Sequence, residues 1–99
     1  MPAHDYFIYI TTNPGRTVLY VGVTNNLKRR LQEHWEDAQE KRQSFASKYF
    51  CYNLVYYEYF QHIEQAIARE TELKKWSRAK KEALIAQRNP QWNFLNDQI

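Results

Sequence analysis

The sequence predicts an α+β fold in which a small three-stranded antiparallel sheet is flanked by about three helices, in the order β-β-α-β-α-α. Three observations predict this fold: two short aromatic and β-branched segments separated by a turn, a third such segment later in the chain, and apolar residues at helical spacing between and after them. No internal repeat, low-complexity tract or linker interrupts the 99 residues. We therefore expect a single domain spanning residues 1–99.

The first two strands are predicted at residues 6–11 and 17–23, which read YFIYIT and TVLYVGV. Between them lies Asn13-Pro14-Gly15-Arg16, a combination of residues that is typical of turns. The two strands are therefore expected to form a hairpin.

The register of this hairpin follows if the four turn residues are its whole loop. Thr12 then pairs with Thr17, and Tyr9 falls opposite Tyr20. This register predicts that two phenol groups meet across the ladder.

The other elements are predicted from helical spacing, capping residues and a further strand-like run. They are a helix at 26–40, a loop or short helical turn at 41–51, a strand at 53–60, a helix from Ile63 to about Trp76, and a helix that Ser77 caps and that ends before Asn89-Pro90.

Composition and processing signals indicate a folded protein of the cytoplasm. Apolar residues make up 43% of the chain and charged residues 25%, which is ordinary for a globular domain. The lone Cys51 cannot form an internal disulfide, so we expect a reducing compartment and a small buried side chain. We see no signal peptide, and no segment approaches the ~20 apolar residues that cross a membrane.

Positive charge is concentrated in the second part of the chain. The net charge is −1 over residues 1–40 and +4 over residues 41–99. The densest cluster consists of Lys74, Lys75, Arg78, Lys80 and Lys81. This cluster is either a solvated helix surface or a patch that faces the phosphates of a nucleic acid.

Three polar residues occupy positions where the helical pattern favours apolar side chains. Arg30 and His34 lie at the edge of the apolar stripe 27, 30, 31, 34, 35, 38 of the first helix, and Glu70 lies on the stripe 63, 66, 67, 70, 73 of the second. Each has an ordinary explanation: a salt bridge for Glu70, a solvent-reaching side chain for Arg30, a half-buried imidazole for His34. Together with the tyrosine pair, they are the side chains that metal-assisted phosphodiester hydrolysis needs.

The two tyrosines also carry a family resemblance. Phe7-Ile8-Tyr9 and Tyr20-Val21-Gly22 resemble the paired motifs that name the GIY-YIG nuclease superfamily. Residues 19–34 are similar to the most recognisable segment of that superfamily. Residues 66–70 and 74–82 resemble its small stand-alone bacterial branch, an uncharacterised group that is similar to an excinuclease subunit. The resemblance covers about residues 5–95.

The resemblance implies roles for four side chains in catalysis. It makes Tyr9 a general base or water-positioning group, and Tyr20 a residue that lines the site and shares that task. It makes Arg30 the contact to the scissile phosphate. It places His34 within reach of the nucleophile or the phosphate.

The resemblance also implies a metal ligand and two supporting residues. Glu70 matches the single metal-ligating carboxylate, so one Mg²⁺ or Mn²⁺ that keeps several waters is expected. Asn93 matches an asparagine that supports the site, although the added basic helix separates it further from Glu70 than in repair-type members. Gly22 matches the motif glycine and is expected to allow close backbone approach.

Two residues depart from the family pattern. Phe7 stands where the name-giving glycine would be. Val23 stands where repair-type members often carry a lysine. The resemblance therefore argues against a lysine-assisted mechanism and favours one that uses His34.

The resemblance therefore implies a metal-dependent DNA endonuclease with a role in DNA repair or recombination, with DNA favoured over RNA as partner. The first alternative is a nucleic-acid-binding module that keeps the fold without turnover. The second is a protein-interaction module, which depends on Trp76 and Trp92 being exposed.

Overall fold

The computed structural model describes residues 5–40 and 44–99. Its elements are strands β1 (Tyr6–Thr12) and β2 (Leu19–Thr24), helices α1 (Leu27–Gln39) and α2 (Phe45–Lys48), strand β3 (Asn53–Phe60), helices α3 (Ile63–Lys75) and α4 (Arg78–Arg88), and a final 3₁₀ turn at Asn96–Gln98. The stretch 41–51, for which the sequence predicts a loop or short helical turn, contains α2; residues 41–43 lie outside the described ranges.

The sheet has β1 at its centre, with β2 and β3 paired antiparallel on either side. A central strand is covered on both faces, and Ile8, Tyr9 and Ile10 are accordingly all buried. The predicted α+β class with a three-stranded antiparallel sheet is confirmed, and the described residues form four helices where about three are predicted.

The predicted register of the hairpin is wrong. Thr12 pairs with Leu19, and Tyr9 pairs with Gly22 rather than with Tyr20. The hairpin loop is therefore two residues longer than the four-residue turn that the sequence predicts.

Asn13 explains the longer loop. Its side-chain oxygen accepts hydrogen bonds from the backbone N–H groups of Thr17 at 2.8 Å and Val18 at 2.9 Å. Such a side-chain bond to the backbone two or more residues on is a common way to build a turn. Because it uses the N–H groups of Thr17 and Val18, these residues do not pair with β1.

The two faces of the sheet are covered by different helices. One apolar cluster lies against α3 and α4 and contains Ile8, Ile10, Val21, Val55, Tyr56, Ala66, Leu73 and Ile85. The other lies against α1 and contains Tyr9, Leu27, Leu31 and Leu54. Tyr9 therefore points to the α1 face, between two isoleucines that point to the α3 face.

The predicted apolar stripes of α1 and α3 are narrower in the structure. Trp35 and Ile67 are each 47% exposed, although both lie on predicted buried faces. In α3 only Ala66 and Leu73 are buried, because the sheet is small and the helix contacts it along a single line. Helical spacing predicts which side of a helix faces the core but overestimates the width of that contact.

Two further observations concern Cys51 and the helices. Cys51 is buried and not in a disulfide, and burial raises the pKa of its thiol to about 11. None of the helices within residues 5–40 and 44–99 combines the length and the apolar character that crossing a bilayer requires.

Candidate active site

Tyr9 and Tyr20 lie side by side on the α1 face of the sheet. Their ring centroids are 6.2 Å apart. Tyr20 precedes Gly22, the partner of Tyr9, by two residues, and alternate residues of a strand face the same side. The two phenols are thus diagonal neighbours, and they meet even though the predicted register is wrong.

Gly22 provides the space that the Tyr9 ring occupies. A Cβ atom on Gly22 would overlap the phenol of Tyr9, including its hydroxyl oxygen. The backbone of Gly22 does not have a positive φ, so the glycine is required for the approach of a side chain and not for a special conformation. The motif glycine therefore determines where the Tyr9 hydroxyl lies.

The hydroxyl of Tyr9 forms a hydrogen bond with His34. The Tyr9 Oη and His34 Nε2 atoms are 2.8 Å apart, and both residues are about 1% exposed. Burial, assisted by the nearby charge of Arg30, lowers the pKa of His34 to about 4. At neutral pH the imidazole is therefore uncharged, with a nitrogen able to take a proton.

The phenol of Tyr9 is protonated under the same conditions. Burial raises its pKa well above the usual value near 10, and the neighbouring Tyr20 raises it further. The positive charge of Arg30 opposes this rise without cancelling it. Tyr9 is therefore not a phenolate at neutral pH, and its hydroxyl is hydrogen-bonded to the uncharged imidazole of His34.

Arg30 places a guanidinium at the rim of this buried pair. Its side chain is 32% exposed, and one of its nitrogens bonds Glu33 at 2.9 Å. Burial alone would lower the pKa of Arg30, but the bond to Glu33 and the adjacent phenols raise it overall. A guanidinium has five N–H donors, so one bond to Glu33 leaves donors for a bound phosphate.

Glu70 is a largely buried carboxylate on α3. Its side chain is 18% exposed, and Lys74 Nζ lies 3.5 Å away. Its negative charge contributes to the raised pKa of Tyr9, which puts the carboxylate within electrostatic reach of that phenol. The salt bridge that was the ordinary explanation for Glu70 is thus present, although the lysine side chain is more than half exposed and can move aside.

The donor set around Glu70 fits a hydrated divalent cation. Within residues 5–40 and 44–99, no three His, Cys, Asp or Glu side chains cluster so as to enclose a metal ion. Mg²⁺ needs no such enclosure, since it commonly binds through one or two carboxylates, the substrate phosphate and several waters. A single largely buried carboxylate such as Glu70 is compatible with that mode of binding.

Comparison with known proteins decides the family. A sequence model of the GIY-YIG catalytic domain matches residues 5–83. The chain belongs to the GIY-YIG family. This result confirms the predicted resemblance and establishes a nuclease-type fold.

The relatives of this GIY-YIG domain are small proteins of similar length. A UPF0213 protein of Natronomonas pharaonis is 39% identical over 84 residues, which cover 85% of this chain and 94% of that protein. A UPF0213 protein of Syntrophus aciditrophicus is 34% identical over 85 residues, with coverage of 86% and 93%. The solution NMR structure of a UPF0213 protein from Bacillus halodurans matches with a TM-score of 0.56 and 27% identity, and the match covers 89% of each chain.

Asn93 of the GIY-YIG domain borders a cavity of about 390 Å³ beside β3, together with Val55 and Arg88. Its neighbours Trp92 and Phe94 both contact Arg16 of the hairpin loop. The supporting role of Asn93 in the candidate site remains a prediction.

Asn89, which the sequence suggests only as the end of a helix, is the buried asparagine of this region. Its side-chain nitrogen donates to the carbonyl oxygens of Val55 at 3.0 Å and Asn93 at 2.9 Å. Its side-chain oxygen accepts from the N–H of Asn93 at 2.9 Å. Asn89 thus connects the C-terminal segment around Asn93 to β3 through hydrogen bonds.

Two lysines of the predicted basic patch have partners within the chain. Lys74 contacts Glu70, as described above. Lys80 Nζ lies 4.2 Å from the ring centroid of Trp76. Both side chains remain exposed, so both can also meet a phosphate.

The other three cations of the patch differ in exposure and in role. Arg78 donates hydrogen bonds to the carbonyl oxygens of Thr17 and Arg16, which connects α4 to the hairpin loop. Lys75 is exposed and Lys81 is partly exposed. The patch therefore combines a structural arginine with lysines on the surface, and its role in nucleic-acid binding remains a prediction.

The sequence also did not single out Phe45. Its ring stacks on Tyr20, with centroids 6.1 Å apart and an angle of 25° between the planes. The signal was present: Ser44 caps α2, so an aromatic residue stands at the first position of a helix inside a predicted loop.

Proposed function

We propose that this GIY-YIG domain is a metal-dependent endonuclease that hydrolyses phosphodiester bonds in DNA, and that it acts in DNA repair or recombination. The observation that carries the proposal is the buried hydrogen bond between Tyr9 and His34. Arg30 lies at the rim of this pair, and Glu70 is within electrostatic reach. The four residues supply a proton relay, a phosphate-binding cation and a carboxylate ligand. The repair or recombination setting is supported by the resemblance of this small stand-alone branch to an excinuclease subunit.

Arg30 binds the scissile phosphate in this proposal. Its partly exposed guanidinium offers donors to the non-bridging oxygens, where negative charge grows as the phosphate is attacked. Glu33 holds the guanidinium in place before substrate arrives. Because the nearby phenols and Glu33 favour the charged form, Arg30 is cationic over the whole physiological range of pH.

Tyr9 and His34 move the proton of the attacking water. The phenol oxygen of Tyr9 takes the proton while the phenol passes its own proton to Nε2 of His34. Tyr9 is neutral before and after this transfer, which avoids a buried phenolate. The imidazolium that forms is stabilised by the negative charge that develops on the phosphate. The P–O ester bond breaks, the leaving oxygen takes up a proton from solvent, and His34 releases its proton to solvent to restore the neutral imidazole.

Glu70 would hold the divalent cation. When bound, the cation supplies positive charge that offsets the charge developing on the phosphate. Lys74 pairs with this carboxylate at 3.5 Å and, being more than half exposed, would be able to give up that contact to the cation.

The experiment is a cleavage assay on labelled branched, duplex and single-stranded DNA and on RNA, with Mg²⁺, Mn²⁺ or EDTA. We expect metal-dependent cleavage of DNA, lost in Glu70→Gln and Arg30→Ala. Glu64→Gln is the matched control, because Glu64 is an exposed carboxylate in the first turn of the same helix. Cleavage that persists in EDTA or in Glu70→Gln would contradict the proposal.

The alternative function is a nucleic-acid-binding module without turnover. The salt bridge between Glu70 and Lys74 favours it, because it gives the carboxylate a purely structural partner. This alternative predicts salt-sensitive DNA binding that survives Glu70→Gln, with no cleavage by either protein. The protein-interaction hypothesis loses the support of Trp76 and Trp92, since both pack against the core.

A further inference from the structure

Three aromatic side chains form a continuous surface beside the candidate active site. Phe45 stacks on Tyr20, and Tyr49 follows with its ring centroid 4.8 Å from that of Phe45. Phe45 is 51% exposed and Tyr49 is 41% exposed. A row of rings thus runs from Tyr20, which is partly buried beside Tyr9, to the surface of α2.

Small residues also attach α2 to the rest of the protein, since Ala46 and Ser47 are each about 2% exposed. The Ser47 hydroxyl donates to the carbonyl oxygen of Asp37 at 2.9 Å, and the Ala46 carbonyl accepts from the N–H of Cys51 at 2.8 Å. With the helix held in this way, about half of the Phe45 and Tyr49 surface faces solvent and is accessible to a ligand.

Positive charge accompanies the rings. Lys48 Nζ lies 5.6 Å from the ring centroid of Tyr49, and Arg30 lies at the rim of the phenol pair at the other end of the row. Proteins that bind unpaired nucleic acid combine exposed aromatic rings, on which bases stack, with cations that follow the backbone. Such surfaces select unpaired bases, because both faces of a base inside a duplex are already covered by its neighbours.

We propose that Phe45 and Tyr49 form a stacking platform for an unpaired DNA base next to the phosphate bound by Arg30. The position of the platform follows from the contacts: Tyr20 touches the ring of Tyr9 on one side and that of Phe45 on the other. The inference rests on the proposed function for the identity of the phosphate site. It adds a substrate class, DNA with an unpaired nucleotide at the point of cleavage.

The test is a binding measurement in EDTA, which separates binding from cleavage. The probes are a single-stranded oligonucleotide and a duplex with a one-base bulge, each with 2-aminopurine at the unpaired position, and a fully paired duplex. Stacking on an aromatic ring quenches 2-aminopurine fluorescence. We expect quenching by the unaltered protein on the first two probes.

Phe45→Leu and Tyr49→Leu remove the rings but keep apolar side chains. We expect each to weaken binding of the unpaired probes by about 5-fold to 100-fold, the range for loss of base stacking, and to reduce the quenching. Binding of the paired duplex should be unchanged. Phe94→Leu is the matched control, because Phe94 is 37% exposed and packs on Arg16 instead of on Tyr20. Thermal unfolding measures whether each variant is folded. If Phe45→Leu does not fold, Tyr49→Leu alone tests the inference.

The outcomes distinguish this inference from the proposed function. Unquenched 2-aminopurine, equal binding by the Leu variants, an equal loss on the paired duplex, or tighter binding of an RNA strand of the same sequence would overturn the platform for DNA. None of these results would contradict the proposed metal-dependent cleavage. Conversely, the protein could quench 2-aminopurine fluorescence through Phe45 and Tyr49 and yet cleave none of the substrates. That result would support the stacking platform and contradict the proposed endonuclease activity.

Discussion

The hydroxyl of Tyr9 reaches His34 because residue 22 has no side chain. A Cβ atom on Gly22 would overlap the Tyr9 phenol, and the Oη of that phenol lies 2.8 Å from His34 Nε2. The two tyrosine motifs are therefore coupled by geometry. One motif supplies the tyrosine hydroxyl, and the other supplies the space that lets this hydroxyl contact the histidine.

The first prediction concerns this space. Gly22→Ala should displace the Tyr9 ring and lower the free energy of unfolding by about 1–3 kcal/mol, as overpacking of a core usually does. Gly15→Ala is the matched control, because the nearest heavy atom to its added Cβ is 3.8 Å away. Urea denaturation measures both, and equal stability of the two variants would contradict the coupling.

The second prediction concerns pH. The folded-state pKa of His34 is about 4, against 6.5 in an unfolded chain. Below about pH 6.5 the unfolded chain binds a proton on His34 that the folded chain does not bind. The contribution of His34 to the free energy of unfolding is therefore fully present above about pH 6.5 and is lost as the pH falls to about 4. A shift of this size corresponds to about 3 kcal/mol.

Urea unfolding between pH 4 and pH 7.5 measures this dependence. The slope should be smaller in His34→Gln, in which the titrating group is absent while acidic groups elsewhere still contribute. An identical slope in the two proteins would show that His34 is not held neutral by burial.

The third prediction separates two asparagines. Asn89→Ala should cost about 2–4 kcal/mol, because it removes a buried side chain with three hydrogen bonds and leaves the Val55 carbonyl without that partner. Asn93→Ala should change stability by less than about 0.5 kcal/mol, because Asn93 is exposed and its bonds to Asn89 come from its backbone. Thermal or urea unfolding tests both, and a large loss in Asn93→Ala would contradict this assignment.

The fourth prediction distinguishes a DNA-binding residue of the basic patch from a structural one. Lys75→Ala should weaken DNA binding and reduce the slope of log affinity against log salt by about 1, without loss of stability. Arg78→Ala should instead lower stability, because Arg78 connects α4 to the carbonyls of the hairpin loop. Fluorescence anisotropy at several salt concentrations and thermal unfolding distinguish the two effects. A salt slope that does not change in Lys75→Ala would remove this lysine from the interface.

Sequence patterns predicted most of the fold because local signals agree with the tertiary structure. The strand Asn53–Phe60 and the capping of α4 by Ser77 are confirmed to the residue. The hairpin register was not predictable in the same way, because a side-chain bond from Asn13 lengthens the loop. The exposure of Trp35 and Ile67 likewise depends on the small size of the sheet, which helical spacing does not encode.

The sequence predicted which residues form the candidate site better than it predicted how those residues are arranged. The phenol pair, Arg30, His34 and Glu70 were found as misfits and through the family motifs. The neutral state of His34 was not predictable, because it depends on how deeply α1 buries the imidazole. The stacking of Phe45 on Tyr20 depends on a contact between residues 25 positions apart, and no local pattern specifies it.

The most direct test of the account is single-turnover cleavage of DNA by Tyr9→Phe beside Tyr57→Phe. Tyr57 pairs with Tyr9 across the sheet and shares its face, so it controls for loss of a neighbouring hydroxyl. If Tyr9 and His34 relay the proton, Tyr9→Phe should cleave at least ~100-fold more slowly than the unaltered protein, and Tyr57→Phe should cleave at the unaltered rate. Cleavage by Tyr9→Phe at the unaltered rate would contradict the account, because the Tyr9 hydroxyl would then have no part in the reaction.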